Sequence, residues 1–191
     1  LRAGKVSASN QGFLLIHTAD KLDREGYKKK IKFILATAGL NQEDYYIGIS
    51  NLHADSRTNL SDLGYGISES LYAESTAEAG GISLSYFREI GIYSILMPVH
   101  QEVWVHNWYD SIIMPIMQHD EKYNTELLTT AIKFVENDGN VPETAKSLFA
   151  HKNTIRYRLN KIKEILQIED RELDFLEQLS VAVKLHKLYH L

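Results

Sequence analysis

In the first hundred positions, short apolar runs alternate with stretches where apolar residues recur every three or four places. Gly12-Phe13-Leu14-Leu15-Ile16-His17 is such a run behind a glycine, which predicts a buried strand. From Asp20 to Ala38 the apolar positions Leu22, Tyr27, Ile31, Ile34, Leu35 and Ala38 fall mostly at helical spacing, and Gly39 supplies a stop. Tyr45 to Ser50 reads as a second buried strand that opens into a loop over 51–59. A second amphipathic helix is expected over 60–77, weakened in its first turn by Gly64 and Gly66 and broken by Gly80-Gly81. Two further strands are expected at Ile82–Ser85 and Ile92–Met97, with a helical turn around 86–90 between them, and Pro98 ends the pattern.

Beyond Pro98 the period is helical throughout, with helices expected at about 101–118, 121–137, 141–149, 153–166 and 171–190. The class change falls softly between 98 and 122. It divides the chain into an α/β domain over 1–118 and an all-α domain over 119–191, an α+β protein overall. Trp104 and Trp108, four apart, share a helix face, which points to core or interdomain packing over ligand stacking. The last helix is apolar at Leu173, Leu176, Leu179, Ala182, Val183 and Leu185. A stripe that wide buries itself on the preceding helices or forms a dimer interface.

The segment from Asp138 to Leu166 is the most specific. Gly139 suits the left-handed turn that closes one helix, and Asn140 suits the N-cap of the next, with Glu143 three residues on as in a capping box. Within that short helix Ala145, Leu148 and Phe149 are spaced for one apolar face, and the small Ala145 lets another helix cross closely. Ala150-His151-Lys152 forms the turn, with Asn153 or a neighbour capping the second helix. Ile155, Leu159, Ile162 and Leu166 then repeat at four, three and four residues, an inward stripe. Asn153, Arg156, Tyr157, Asn160, Lys161 and Glu164 point the other way, and Arg158 lies at the edge of the stripe.

Charge changes the picture only when it is localised. The whole chain carries a net charge of -4, which suggests no polyanionic partner. Between Asn140 and Leu166, however, six basic residues (Lys146, Lys152, Arg156, Arg158, Lys161, Lys163) face two acidic ones, a net +4 against -8 elsewhere. A cationic island on an acidic body suits a module that touches phosphates; a solvated helix face is the plainer reading. The absence of cysteine excludes disulfide scaffolds, thiolate metal sites and cysteine nucleophiles, and fits a cytoplasmic protein. No apolar run approaches the roughly 18 residues of a membrane span. The start, Leu-Arg-Ala-Gly-Lys-Val, has neither an initiator Met nor a signal-peptide core and reads as part of a longer chain; the sequon at Asn59 would matter only for a secreted one.

A short helix, a tight turn and a second helix with an exposed polar N-terminal half is the geometry that seats a recognition helix in the major groove. Arg can bond guanine O6 and N7 together, Asn can do the same to adenine, Thr can touch the thymine methyl, and Lys can neutralise phosphate. The expected DNA-facing residues are His151, Lys152, Asn153, Thr154, Arg156, Tyr157, Asn160 and Lys161. Generic helical hairpins share the apolar spacing, so a helix pair packed on a protein partner stays open.

Glu126-Leu127-Leu128 with Thr130, then Thr144-Ala145 with Leu148-Phe149, then His151-Lys152-Asn153-Thr154-Ile155-Arg156-Tyr157-Arg158-Leu159, closely resemble the C-terminal helix-turn-helix of PucR/CdaR-type transcription regulators. The resemblance extends weakly through Leu173, Leu176, Ala182 and Leu185. It implies sequence-specific binding to promoter DNA as a homodimer or higher oligomer, control of catabolic or transport genes, and a small-molecule effector bound by a domain preceding this chain. Phe149 stands where generic helix-turn-helix motifs often carry glycine, a place where the resemblance implies that a large residue is tolerated. Residues 12–97 resemble, much less closely, the degenerate GGDEF domain of such regulators. Gly80-Gly81 is followed by Ile82-Ser83-Leu84 without the acidic pair a cyclase needs for its metal, so no catalysis is expected. No cofactor and no metal are expected either: the pairs His100/His106 and His186/His190 lack a third ligand. The runner-up function is a ligand-responsive oligomerisation module that works through protein contacts.

Overall fold

A computed structural model describes residues 2–6, 12–16, 23–37, 39, 45–53, 60–168 and 171–190. The chain divides into two compact units, Leu1–Ser94 and Ile95–Leu191.

In the first unit, strands β1 (Arg2–Val6) and β2 (Gly12–Ile16) form an antiparallel pair with Gly4 opposite Leu14. The sequence pattern did not announce β1, and His17, expected to end β2, lies outside the described residues. Helix α1 (Arg24–Thr37) comes next, with Gly39 beyond it at φ 76; the expected positions 20–22 and 38 are also outside the described residues, as are 54–59 of the expected loop and the sequon's Asn59. Strand β3 (Ile47–Ile49), helix α2 (Leu60–Gly80) and strand β4 (Leu84–Tyr86) make a parallel β-α-β arrangement, Ile47 pairing with Leu84. Gly48 makes this packing possible. A Cβ there would come within 1.9 Å of the Ser70 carbonyl and 2.2 Å of the Glu74 nitrogen, so β3 rests directly on the backbone of α2. Ala73 and Ala77, small and fully buried, line the same helix.

Two expectations in this unit are corrected. The strand expected at Ile82–Ser85 lies two residues later, and Ile82 is exposed. The helical turn expected around 86–90 is present as a 3-10 turn (Phe87–Glu89), but the strand expected at Ile92–Met97 is absent: a single helical turn, α3 (Tyr93–Leu96), occupies most of that segment. Backbone groups here bond locally, Ile90 N–H to Phe87 O, Tyr93 N–H to Ile90 O and Ser94 N–H to Gly91 O, so the apolar run needs no strand partner.

The second unit is helical: α4 (Val103–Tyr123), α5 (Leu127–Glu136), α6 (Val141–Ser147), α7 (Lys152–Leu166) and α8 (Glu172–Tyr189). The break expected near 119–120 lies at 124–126. Asn124 takes a left-handed φ of 50 to close α4, and Asp120, one turn before the end of that helix, caps the next one. Its carboxylate accepts from the Thr125 hydroxyl at 2.6 Å and from the backbone N–H groups of Leu127 and Leu128 at 2.8 and 2.9 Å. Those amides are orphan donors at the start of α5, and Asp120 satisfies them from the neighbouring helix.

Val105, Tyr109, Ile112, Ile113 and Ile116 form the buried stripe of α4. Trp108 is half-buried but Trp104 is 65% exposed, so the core reading does not hold for Trp104. Ile116 joins Leu127, Ala131 and Phe134 of α5, Ile155, Leu159 and Ile162 of α7, and Phe175, Leu179 and Val183 of α8 in one core. Each of the larger side chains among them, Val, Leu, Ile and Phe, contributes about 1.5–3 kcal/mol on burial. The stripe of α8 is buried as expected at Leu179, Ala182, Val183 and Leu185 and is extended by Phe175 and Leu188, while at its start Leu173 is 66% exposed and Leu176 borders solvent. Of the histidines paired in the sequence, three are tied locally, the His100 and His190 rings to the carbonyls of Met97 and His186 and the His106 ring to Asp110, while the His186 ring meets the Tyr109 hydroxyl of α4. Burial and the neighbouring His190 lower the pKa of His186.

Candidate nucleic-acid interface

Three consecutive helices, α5, α6 and α7, are joined by turns whose geometry is set by their capping residues. At the end of α5, Gly139 N–H bonds Phe134 O at 2.9 Å and Asp138 N–H bonds Val135 O at 3.2 Å. This six-to-one and five-to-two pair closes the helix through a left-handed residue, and that residue is Asp138 (φ 52), with Gly139 (φ 74) continuing the turn. Asn140 caps α6 as its sequence position predicts, its side chain accepting from Glu143 N–H at 3.1 Å. The reciprocal half of the capping box is absent, because Asn140 N–H bonds Asn137 O instead. Thr144 and Ala145, almost fully buried, face α7, and the Thr144 hydroxyl donates to Asn140 O at 2.8 Å, which satisfies it inside the core.

Helix α6 stops at Ser147, two residues before its expected end, and the same capping pair recurs: Ala150 N–H bonds Ala145 O at 2.9 Å and Phe149 N–H bonds Lys146 O at 3.2 Å. Phe149 is therefore the left-handed residue, at φ 51. This corrects its expected place on the apolar face of α6. The backbone reversal swings the ring outward, and Phe149 is 100% exposed. Leu148, beside it, stays against the core. The N-cap of α7 is His151, not Asn153: its ring Nδ1 accepts from Asn153 N–H at 3.2 Å. The helix starts at Lys152.

Helix α7 shows the expected two faces. Ile155, Leu159 and Ile162 are buried, while Leu166 is only partly so. Opposite them Asn153, Arg156, Tyr157 and Asn160 are exposed on one face, with Lys152 and Thr154 exposed to either side in the first turn. Lys161 is half-exposed. All eight residues singled out in the sequence thus lie on α7 or its cap, turned away from the core. At 15 residues the helix is about 22 Å long, and its first turns carry polar groups of the types that read base edges.

The cationic island is heterogeneous. Arg158 is held inside the domain, donating to the Glu126 carboxylate at 2.7 Å and the Thr130 hydroxyl at 3.2 Å. Lys163 is held by Glu172 across to α8. Lys161 bonds Glu164 at 2.8 Å, and that hydrogen bond and charge raise its pKa. Lys146, Lys152 and Arg156 are exposed and, among the described residues, enter no ion pair. Arg156 makes only a long contact, 3.4 Å, to Asn153 Oδ1. The three unpaired cations flank the turn and the first turns of α7, while the paired ones lie deeper in the domain or farther along the helix. Sequence reasoning left Lys146 out of the site and Phe149 inside the core; the signal for Phe149 was its place where glycine is common.

Comparison with known proteins agrees with this geometry. Residues 127–185 match the family described as PucR C-terminal helix-turn-helix domain, α5 to most of α8. That match lies wholly within the second unit and lends no support to the resemblance of residues 12–97 to a GGDEF domain. The chain is similar to three proteins of Bacillus subtilis. It is 26% identical to the DNA-binding transcriptional activator AdeR over 179 residues, 92% of this chain and 42% of that protein. It is 30% identical to the proline-responsive transcriptional activator PutR over 127 residues, 65% of this chain and 30% of that one. The Purine catabolism regulatory protein is 28% identical over 93 residues, 49% of this chain and 17% of it. The chain thus spans less than half the length of each of these relatives. No solved structure matches it.

Proposed function

We propose that this chain, whose residues 127–185 are a PucR-type C-terminal helix-turn-helix domain, binds double-stranded DNA sequence-specifically as the DNA-reading end of a transcription regulator. The observation that carries the reading is the free cationic rim of Lys146, Lys152 and Arg156 around the exposed polar face of α7. In this reading Lys146 and Lys152 meet phosphates, while Asn153, Thr154, Arg156, Tyr157 and Asn160 approach base edges; His151 has the cap as its first task, and Lys161 contributes from the margin. The protein works as a homodimer or higher oligomer in the cytoplasm. It has no enzymatic role and no cofactor. The first unit serves as a non-catalytic GGDEF-like element, and a small-molecule effector binds in a preceding domain. Its targets are catabolic or transport genes. One relative supports the catabolic targets by name, the purine catabolism regulator, and another, proline-responsive, supports a small-molecule effector. No described helix is long and apolar enough to cross a membrane.

The test is binding of the chain to fragments it selects from its own genome, measured against scrambled duplex across a salt series. Affinity for the selected site falls steeply with salt. Lys152→Ala lowers the salt slope by about one and weakens all sequences alike, whereas Arg156→Ala costs roughly 1–3 kcal/mol on the selected site and relaxes base preference. Equal affinity for selected and scrambled duplex at every salt concentration overturns the proposal in favour of a protein-contact module.

A further inference from the structure

Four described residues other than glycine take a positive φ: Asn124, Asp138, Phe149 and Gln167. Three carry polar side chains suited to solvent. Phe149 combines two unfavourable choices, a Cβ in the left-handed region and a phenyl ring that gains nothing from burial in its own fold. Glycine would relieve the first and remove the second.

The surroundings of Phe149 say what the ring can meet. Lys146 lies three residues before it and Lys152 three after, both exposed and both without an ion pair among the described residues; His151, also exposed, follows it by two residues as the cap of α7. Three residues span at most about 11 Å, so the ring shares its neighbourhood with the first turn of α7. An apolar ring fenced by free cations is a poor match for an apolar protein surface, which would leave those ammonium groups unpaired. It matches duplex DNA, which offers phosphates to the cations and, in the major groove, thymine methyl groups to the ring.

We infer that Phe149 is a specificity-determining residue of the DNA interface, packing its exposed ring on a thymine methyl group at the edge of the half-site read by α7. The inference rests on the proposed DNA binding by α7 and adds an apolar reader in the turn, outside the recognition helix.

The experiment uses the whole chain and its selected duplex, with thymines replaced singly by deoxyuridine to delete one methyl at a time. Phe149→Gly binds the selected site on the order of tenfold more weakly, with an unchanged salt slope and an unchanged or higher Tm, while Phe149→Leu retains most of the affinity. One deoxyuridine position weakens the unsubstituted protein about fourfold, the worth of one methyl, and leaves Phe149→Gly unaffected. The inference is overturned if Phe149→Gly binds like the original chain, if its loss is the same at every deoxyuridine, or if sedimentation without DNA shows that the substitution breaks self-association. A chain that shows no preference for selected duplex overturns the DNA-binding reading itself, a result distinct from any of these.

Discussion

Two arginines two residues apart, Arg156 and Arg158, show how position on one helix turns the same side chain to different ends. Arg158 reaches back from α7 to α5, where the buried Thr130 hydroxyl accepts one of its N–H groups while itself donating to Glu126 O at 2.6 Å. The Glu126 carboxylate takes another, but it is largely exposed and its share is screened. Arg158→Ala is expected to lower unfolding stability by about 1 kcal/mol in denaturant titrations while leaving the salt slope of DNA binding intact. A lost salt slope at unchanged stability would instead make Arg158 a phosphate contact. The sequence placed Arg158 at the stripe's edge because a 100-degree helical wheel suffices for that. The pairing of Lys161 with Glu164 was open to a local i,i+3 reading, but nothing local in the sequence shows that Lys163 is engaged, since it finds Glu172 only after the chain has turned into α8.

Between elements, Glu136 at the end of α5 is the clearest electrostatic clasp, bonding Lys133 one turn back at 2.7 Å and Lys187 of α8 at 2.8 Å. Partial burial alone would raise its pKa, but the hydrogen bonds and charges of the two lysines outweigh that and leave it lowered. A carboxyl with a depressed folded pKa adds stability that is present above its unfolded value, about 4.3, and is lost as pH falls through the folded value. Glu136→Gln is therefore expected to lower Tm at neutral pH by a small amount, with the gap to the parent chain closing below about pH 4. A gap that persists at pH 3 would mean the loss is one of packing. The all-α elements were legible because 3.6-residue periodicity and caps such as Asn140 act within a few residues. The end of α6 was not, because the left-handed closure at Phe149 overrides residue preference; the end of α4 was missed even though Asn124 is a residue type that favours such a closure. The Ile92–Met97 segment misled for a related reason: apolar runs specify burial, and local turns supplied the hydrogen bonds that a strand would have needed.

For the whole molecule, an α7 presented once per protomer in a two-fold dimer must find half-sites about one helical turn apart or a multiple of it. Inserting five base pairs between the half-sites of a selected fragment is expected to abolish tight binding, and inserting ten to restore it; indifference to both would sink the symmetric dimer. Where the subunits of such a dimer meet was not legible, because the apolar residues of α8 proved to divide between the core and the surface at Leu173 and Leu176. The fastening at Asp120 has a mechanical consequence. Since this carboxylate belongs to α4 yet holds the first amides of α5, α4 cannot pivot freely at residues 124–126 without stripping those bonds. Helix α4, about 30 Å long, is thus tied to α5 at their junction as well as by its buried stripe and by the Tyr109–His186 bond to α8, so the angle between α4 and α5 is held from both ends of the contact.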